Sequence, residues 1–291
     1  MSFSEFLNYG FAKAYFLKDG ADEVVFTVLR IVATLLCIVA AYLIGSCNCA
    51  ILVSRKYMKD DIRNYGSKNA GSTNMLRTYG KKAALLTFVG DFLKALPAIF
   101  IGRLCLGGNG AYIAALFCVI GHIFPLFFKG KGGKGVATTA GAIFFCDPLV
   151  FLILFVVYAI IVIGTKYVSL ASVMSMLIYP LILNRFKTLF VPEGEVGYGI
   201  ATLSAFAIAI IVILKHTENI KRILNHTESK LVLFGKNKGM HSVQQPSEDA
   251  SRRHREDDDE PAAQSQPSDS QKSVPSKKAS KSQRKSQRKQ G

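Results

Sequence analysis

The stretch VVFTVLRIVATLLCIVAAYL, residues Val24–Leu43, decides the fold class because it is apolar almost throughout. Its one charged side chain is Arg30. A helix rises ~1.5 Å per residue, so about 20 residues of this kind cross roughly 30 Å of hydrocarbon. The stretch is therefore predicted to be a membrane-spanning helix.

Five further apolar blocks of similar length follow it, in a chain that is 50% hydrophobic with a mean hydropathy of +0.27. A shorter block, Val136–Cys146, completes one more crossing if the glycine-rich loop before it bends back into the membrane. The predicted fold class is all-α, a polytopic integral membrane bundle with seven transmembrane helices. The five further blocks are Ala83–Leu104, Ala111–Phe128, Pro148–Gly164, Val168–Leu183 and Val196–Leu214.

The positive charges between these blocks predict the orientation, because cytoplasmic loops of membrane proteins are rich in lysine and arginine. They concentrate after the first block, in the glycine-rich loop, and after the last block. Arg185 and Lys187 are exceptions to this pattern, because they lie in a segment predicted to face the outside. Seven crossings then place the N-terminus outside, the C-terminus in the cytoplasm and these loops on the cytoplasmic face.

The two ends of the chain differ from the middle and define the predicted domains. Residues 1–23 are predicted to form an interfacial extension, and residues 24–234 a membrane domain. Residues 235–291 run through EDDDE and end in SKKASKSQRKSQRKQG, a composition typical of a disordered tail. The tail contributes to the net charge of +16. We favour a solvated tail over one that contacts anionic lipid, and we expect no nucleic-acid partner.

The stretch GSKNAGSTNMLR, Gly66–Arg77, is the most informative polar segment. Its small residues alternate with hydroxyl and amide side chains, which present backbone N–H groups and short donors to an anion. Arg77 adds a planar cation suited to phosphate oxygens. An ordinary flexible loop, with an arginine that only sets the topology, is the open alternative.

The loop FFKGKGGKGVATT, Phe127–Thr139, also has features that suit an anion. Its glycines, Gly132 and Gly133 among them, let the main chain approach a ligand closely. Lys131 and Lys134 would neutralise phosphate. A cytoplasmic hairpin with topology-setting lysines remains the alternative, and the pattern of a nucleotide-binding loop is absent.

Three further polar residues belong to the same predicted face. His216 and Asn219 are three apart and share one side of a helix, and a histidine there titrates near neutrality. Ser172 lies near the start of a span, where packing is the alternative role. Asp91 and Lys94 are predicted to form a structural pair inside the bundle.

No acidic cluster accompanies these residues, so neither a metal nor an organic cofactor is expected. The ligand is predicted to be an anion, in particular phosphate, bound where lipid chains are within reach.

Together these motifs resemble the bacterial acyl-phosphate:glycerol-3-phosphate acyltransferase family, over about Val24–Leu233. The resemblance implies a seven-helix, multi-pass protein of the bacterial inner membrane with its site facing the cytoplasm. It also implies transfer of a fatty acyl group from acyl phosphate to the 1-hydroxyl of glycerol 3-phosphate, giving lysophosphatidic acid. The implied partners are these two substrates, membrane lipid and, functionally, the enzyme that forms acyl phosphate.

The resemblance also implies roles for individual residues. The chain departs from the family pattern at Asn48, where proline is usual, and at Lys68, where glycine is usual. The expected catalytic residues are Lys134, His216, Asn219 and Ser172. The expected substrate-binding residues are Ser67, Asn69, Thr73, Asn74, Arg77, Lys131, Gly132 and Gly133.

Two rival function classes use the same features. A membrane carrier for a phosphorylated or other organic anion would need basic, glycine-rich loops, but also polar residues through the bilayer midplane and commonly inverted repeats. The polar residues here gather at one face, and no repeat is evident. A membrane anchor that presents the charged tail would leave the loop motifs unexplained.

Overall fold

The structure, a computed structural model, describes residues 10–11, 22–190 and 198–231. These residues contain helices and no strand, which confirms the all-α membrane fold class. The predicted tail, 235–291, and nearly all of the predicted extension, 1–23, lie outside the described residues. The helices are α1 Glu23–Ser46, α2 Cys49–Met58, α3 Ser72–Tyr79, α4 Lys81–Leu93, α5 Ala95–Ile123, α6 Val136–Cys146, α7 Pro148–Thr165, α8 Val168–Phe190, α9 Tyr198–Leu214 and α10 Thr217–Leu224.

Four helical stretches of the described chain are long and apolar enough to cross a membrane. A fifth is possible if α9 and α10, bent by 53° at their junction, count as one span. Helix α6 has 11 residues and is roughly 16 Å long, too short to cross alone. The count of seven crossings and the side on which each terminus lies therefore stay predictions. The four stretches are Glu23–Met58, Lys81–Phe128, Pro148–Thr165 and Val168–Phe190.

Helix α5 folds back on itself and so contains the end of one predicted block, Ala83–Leu104, and most of the next, Ala111–Phe128. Its backbone leaves the helical conformation at Leu106 and Gly107, and Gly107 has a φ of 62°. A Cβ added to Gly102 would lie 2.2 Å from the carbonyl oxygen of Gly110. The two halves of α5 therefore pack backbone against backbone around this turn.

Helix α1 packs on the second half of α5 through small residues. A Cβ added to Gly45 would lie 2.1 Å from the carbonyl oxygen of Cys118, and one added to Gly121 would lie 2.3 Å from that of Tyr42. Small residues let membrane helices approach closely. The resulting van der Waals contacts between the two backbones stabilise the helix pair in lipid. The opposite face of α1 is exposed, as expected for a helix against lipid.

A polar cluster ties the junction of α6 and α7 to two other helices at the end of the bundle far from the glycine-rich loop. Lys187 Nζ lies 3.0 Å from Asp147 Oδ1, and the Tyr112 hydroxyl donates to Asp147 Oδ2 at 2.6 Å. Asp147 joins α6 to α7, so the cluster anchors that junction to α5 and α8. It also accounts for Lys187, an exception to the charge pattern of the sequence.

We expect Gly45→Ala to lower the free energy of unfolding in detergent by about 1–3 kcal/mol, because the new methyl group overlaps α5. The melting temperature of the variant should fall accordingly. The matched control is Gly164→Ala, where an added Cβ meets nothing within 4 Å and alanine favours the helix. Equal melting temperatures for Gly45→Ala and the wild type would contradict this packing.

Candidate active site

A polar cavity of about 150 Å³ lies where the N-terminal ends of α3, α6, α8 and α10 meet. The first N–H groups of a helix have no partner inside that helix, and the helix dipole places partial positive charge there. Four such ends around one cavity favour an anion. The predicted residues that line it are Ser67, Asn69, Thr73, Asn74, Arg77, Lys134, Ser172, His216 and Asn219.

Asn74 holds the first predicted loop in shape. Its side chain is buried; Nδ2 donates to the carbonyl oxygens of Tyr65 and Asn69 at 3.0 and 3.1 Å, and Oδ1 accepts from Ser67 N at 3.0 Å. These bonds occupy the polar atoms that were predicted to bind substrate. Asn74 thus positions the loop, while Ser67, Asn69, Thr73 and Arg77 face the cavity around it.

The two departures from the family pattern have structural explanations. Lys68 has a φ of 56°, a left-handed conformation that glycine adopts more readily, and its side chain is exposed. Asn48 caps α2 by accepting from Ile51 N at 3.1 Å, and its Nδ2 donates to the Ala70 carbonyl at 3.3 Å. Asn48 thus joins α2 to the polar loop.

The glycine-rich loop packs tightly against the end of α5. Gly132 N donates to the Ile123 carbonyl and Gly133 N to the His122 carbonyl, each at 3.2 Å. A Cβ on Gly132 would lie 2.0 Å from the His122 oxygen, and one on Gly133 2.2 Å from His122 Nε2. The glycines are needed for this contact, and their N–H groups are used within the protein.

Lys131, Gly132 and Gly133, all predicted to bind substrate, therefore do not line the cavity. The Lys131 side chain is exposed. The two glycines act through position instead, because they bring the next residue, Lys134, to the cavity wall.

Arg63 fixes the other side of this loop. Its Nη1 donates to the Phe128 and Lys131 carbonyls at 2.9 and 3.0 Å, and its Nη2 binds Asp61 Oδ2 at 2.8 Å. Asp61 also binds Arg55 at 2.9 Å. Hydrogen bonds from Arg63, the main influence, hold the pKa of the Asp61 carboxyl well below its usual range. This clip joins the two predicted anion loops.

Lys134 is linked to the segment after α10. Its ammonium group donates to Asn219 Oδ1, and Asn219 Nδ2 donates to Glu228 Oε1 at 2.7 Å. Ser169 Oγ donates to the same Glu228 oxygen at 2.7 Å, and Arg222 Nε donates to Oε2 at 2.8 Å. One buried carboxylate thus orients several polar groups of the cavity.

Burial changes the proton affinity of these groups. Burial lowers the pKa of Lys134 to about 8, helped by nearby Arg222 and Arg77 and opposed by Glu228. Burial also opposes ionisation of Glu228, but hydrogen bonds from Arg222, Asn219 and Ser169 outweigh it and lower the pKa of its carboxyl. Near neutral pH the cavity therefore contains charged Lys134 and Arg77, with Glu228 ionised beside them.

His216 and Ser172 are both buried at the cavity wall. His216 Nδ1 lies 2.7 Å from the Val212 carbonyl oxygen. A carbonyl only accepts, so Nδ1 carries the proton and Nε2 of the neutral ring has the lone pair. Burial, helped by nearby Lys134, lowers the pKa of His216 to about 4, so the prediction that this histidine titrates near neutrality is wrong. Ser172 Oγ donates to the Val168 carbonyl at 2.8 Å, within its own helix.

The predicted intramembrane ion pair is confirmed and includes a histidine. Lys94 Nζ lies 2.8 Å from Asp91 Oδ1 and 2.8 Å from His122 Nδ1, and it donates to the Cys47 carbonyl at 3.0 Å. The three side chains are buried, and Asp91 and His122 reach the floor of the cavity. Mutual pairing offsets the high free-energy cost of charges at this depth.

A second cavity, also about 150 Å³, adjoins the polar one and is lined almost entirely by apolar side chains. Four residues line both cavities: Phe88, Val136, Tyr158 and Ser172. The site thus combines a cationic chamber with a hydrocarbon-like one.

Comparisons with known proteins identify the family of this chain. A family model described as glycerol-3-phosphate acyltransferase matches residues 35–226. The glycerol-3-phosphate acyltransferase of Finegoldia magna is 44% identical over 202 residues, covering 68% of this chain and 95% of that protein. Glycerol-3-phosphate acyltransferase 2 of Bacillus anthracis is 40% identical over 201 residues, covering 68% and 99%.

The chain belongs to the glycerol-3-phosphate acyltransferase family. A crystal structure of the family member PlsY, an integral membrane enzyme in its glycerol 3-phosphate form, aligns with a TM-score of 0.61 at 35% identity. The alignment covers 68% of this chain and 96% of the PlsY chain. The lysophosphatidic acid form of PlsY aligns with a TM-score of 0.59 at 33% identity.

Three residues that form or support the site were not predicted from the sequence of this chain: Glu228 and Tyr158, which line the cavity, and Arg63, which holds the glycine-rich loop. Glu228 was detectable as a lone acid in a basic segment, HTESK, close behind the predicted His216–Asn219 face. Arg63 carries no comparable signal, because the carbonyl groups that it binds lie far along the chain. Tyr158 carries none, because an apolar span does not show which of its side chains lines a cavity.

We expect Arg63→Ala to loosen the glycine-rich loop, because two carbonyl groups of the loop lose their donor. Amide hydrogen exchange in residues 129–134 should increase, and inorganic phosphate should bind about tenfold more weakly, in line with the loss of charged hydrogen bonds. Arg55→Ala is the control, since Arg55 also binds Asp61 and lies over the Phe128 ring but donates to Asp61 and not to the loop carbonyls. Unchanged exchange in Arg63→Ala would refute the clip.

Proposed function

We propose that this protein transfers a fatty acyl group from acyl phosphate to the 1-hydroxyl of glycerol 3-phosphate, giving lysophosphatidic acid and phosphate. The observation that supports the reaction best is the junction of a cationic cavity with an apolar one. An acyl phosphate has this same division, with an anionic head and a hydrocarbon chain. The family membership agrees with it.

Substrate binding follows from the charges and surfaces of the two cavities. Lys134 and Arg77, with the N-terminal ends of four helices, would hold the phosphate groups. The fatty chain would enter the apolar cavity, along side chains such as Ile143, Leu154 and Met176. Binding both substrates at one wall supplies proximity, which accounts for much of the rate of such a transfer.

The chemistry needs no covalent acyl-enzyme, because acyl phosphate is already an activated mixed anhydride. The glycerol 3-phosphate hydroxyl attacks the carbonyl carbon, and phosphate leaves. The hydroxyl proton has two possible acceptors, His216 Nε2 and an oxygen of the departing phosphate. The tautomer of His216 suits it to the first role.

The site is proposed to face the cytoplasm of a bacterial inner membrane, where acyl phosphate would be supplied by the enzyme that forms it. The support is the charge distribution: the two basic loops lie at the cavity end of the bundle, whereas Lys187 at the other end is paired with Asp147. The membrane domain of residues 24–234 and the separate tail also remain proposals.

The direct test mixes purified protein in detergent with acyl phosphate and glycerol 3-phosphate and measures lysophosphatidic acid. Lys134→Ala should lower the rate about 10- to 100-fold, the effect of losing a hydrogen bond to a charged group. Lys129→Ala is the matched control, since Lys129 is exposed and lies outside the cavity. A fully active Lys134→Ala would contradict the assigned phosphate contact.

Absence of product from folded wild-type protein would contradict the proposed reaction itself. If proteoliposomes then carried glycerol 3-phosphate across the membrane, the anion-carrier function would replace it.

The reaction should also depend on the charge of Lys134. Its pKa of about 8 means that it is mostly protonated at pH 7 and mostly neutral at pH 9. We expect the KM for glycerol 3-phosphate to rise about tenfold between these values. Lys134→Arg stays charged throughout and should show a flat profile over this range, whatever its rate. A rise of the same size in the arginine variant would assign the pH dependence to another group.

A further inference from the structure

The wall between the two cavities marks the place of the reacting carbonyl group, if the proposed function is correct. In an acyl phosphate the carbonyl carbon joins the hydrocarbon chain to a phosphate oxygen. With the phosphate beside Lys134 and the chain in the apolar cavity, that carbon must lie at the wall that the cavities share. Four residues form this wall: Phe88, Val136, Tyr158 and Ser172.

Only two of these four side chains can donate a hydrogen bond, Tyr158 and Ser172. The Ser172 proton is used, because its Oγ donates to the Val168 carbonyl at 2.8 Å. Tyr158 lines both cavities beside Ser172. A phenol O–H rotates about its C–O bond, so the Tyr158 proton can turn towards a substrate oxygen while the ring stays in place.

Negative charge develops on the carbonyl oxygen during the reaction. The attacking hydroxyl oxygen forms a bond to the carbonyl carbon, and the electron pair of the C=O double bond moves onto oxygen. A donor already placed at that oxygen stabilises the transition state more than the ground state, especially where water is excluded.

We propose that Tyr158 is a catalytic residue whose hydroxyl donates a hydrogen bond to the acyl carbonyl oxygen. The Tyr158 proton stays on the phenol throughout. When the intermediate collapses, the C=O bond re-forms, the bond from carbon to the phosphate oxygen breaks, and phosphate leaves with that electron pair. The proton of the attacking hydroxyl goes to His216 or to phosphate, as described above.

The first test is Tyr158→Phe, which removes one oxygen and keeps the ring. We expect kcat to fall about 100-fold, the usual effect of losing one such donor, with the KM for glycerol 3-phosphate within twofold of the wild type. The control is Tyr198→Phe, because Tyr198 begins α9 and lines neither cavity. It loses a hydroxyl too and should keep its kcat.

The second test separates catalysis from folding and packing. Fluorotyrosines of graded acidity at position 158 keep the size of the ring but change the donor strength of the phenol. At a pH where the phenol remains protonated, kcat should increase as the phenol becomes more acidic. A purely structural tyrosine would show no such trend, so this series decides the question even if Tyr158→Phe fails to fold.

The outcomes distinguish the two proposals. No product from the wild type removes the proposed function, and the role of Tyr158 with it. Suppose that the wild type is active. If Tyr158→Phe then keeps the wild-type kcat, or if kcat in the fluorotyrosine series does not change with phenol acidity, only the role of Tyr158 is overturned. A change confined to KM would make Tyr158 a binding residue and would equally overturn the proposal.

Discussion

The meeting of four helix N-terminal ends at one cavity is the constraint on which the rest of the structure depends. Each end presents N–H groups without intrahelical partners, and the added charges of Lys134 and Arg77 increase the positive potential. Without an opposing charge, such a concentration would destabilise the fold. Glu228 supplies that charge through its contacts with Asn219, Ser169 and Arg222.

Internal contacts hold the two loops beside the cavity, Gly66–Arg77 and the glycine-rich loop, in fixed shapes. Asn74 braces one loop internally, Arg63 clips the second loop to it, and glycines allow the second to lie flat on α5. The polar chamber is thus lined by side chains on loops that buried or half-buried residues hold in place. Rigidity of this kind suits a reaction whose rate depends mainly on the position and orientation of two bound substrates, and less on covalent chemistry by the enzyme.

Hydropathy predicted the fold class because a membrane-spanning helix needs a long apolar run, and the chain has several. The turn within α5 was also foreseeable, since the predicted blocks stop on either side of Gly107. The number of crossings was harder to derive, because α6 is apolar but only 11 residues long. Length and composition alone do not separate a short re-entrant helix from part of a span.

Most of the cavity could be predicted because its residues occur in motifs, Ser67 and Arg77 in one and Lys134 in another. Motifs do not say which atoms are free. In the structure Asn74 hydrogen-bonds within its own loop, and Gly132 and Gly133 donate their N–H groups to carbonyls of α5. Tyr158 was not predicted because nothing in an apolar span marks one tyrosine as part of a cavity wall.

The pairing of Lys187 with Asp147 bears on how the chain enters the bilayer. A lysine whose charge is matched by a carboxylate 3.0 Å away contributes little net charge to its end of the bundle. The two ends of the folded protein therefore differ in charge more than a count of lysines suggests. Once the helices have assembled, this difference opposes inversion, since turning the molecule over would carry the many lysines and arginines of the loops through hydrocarbon.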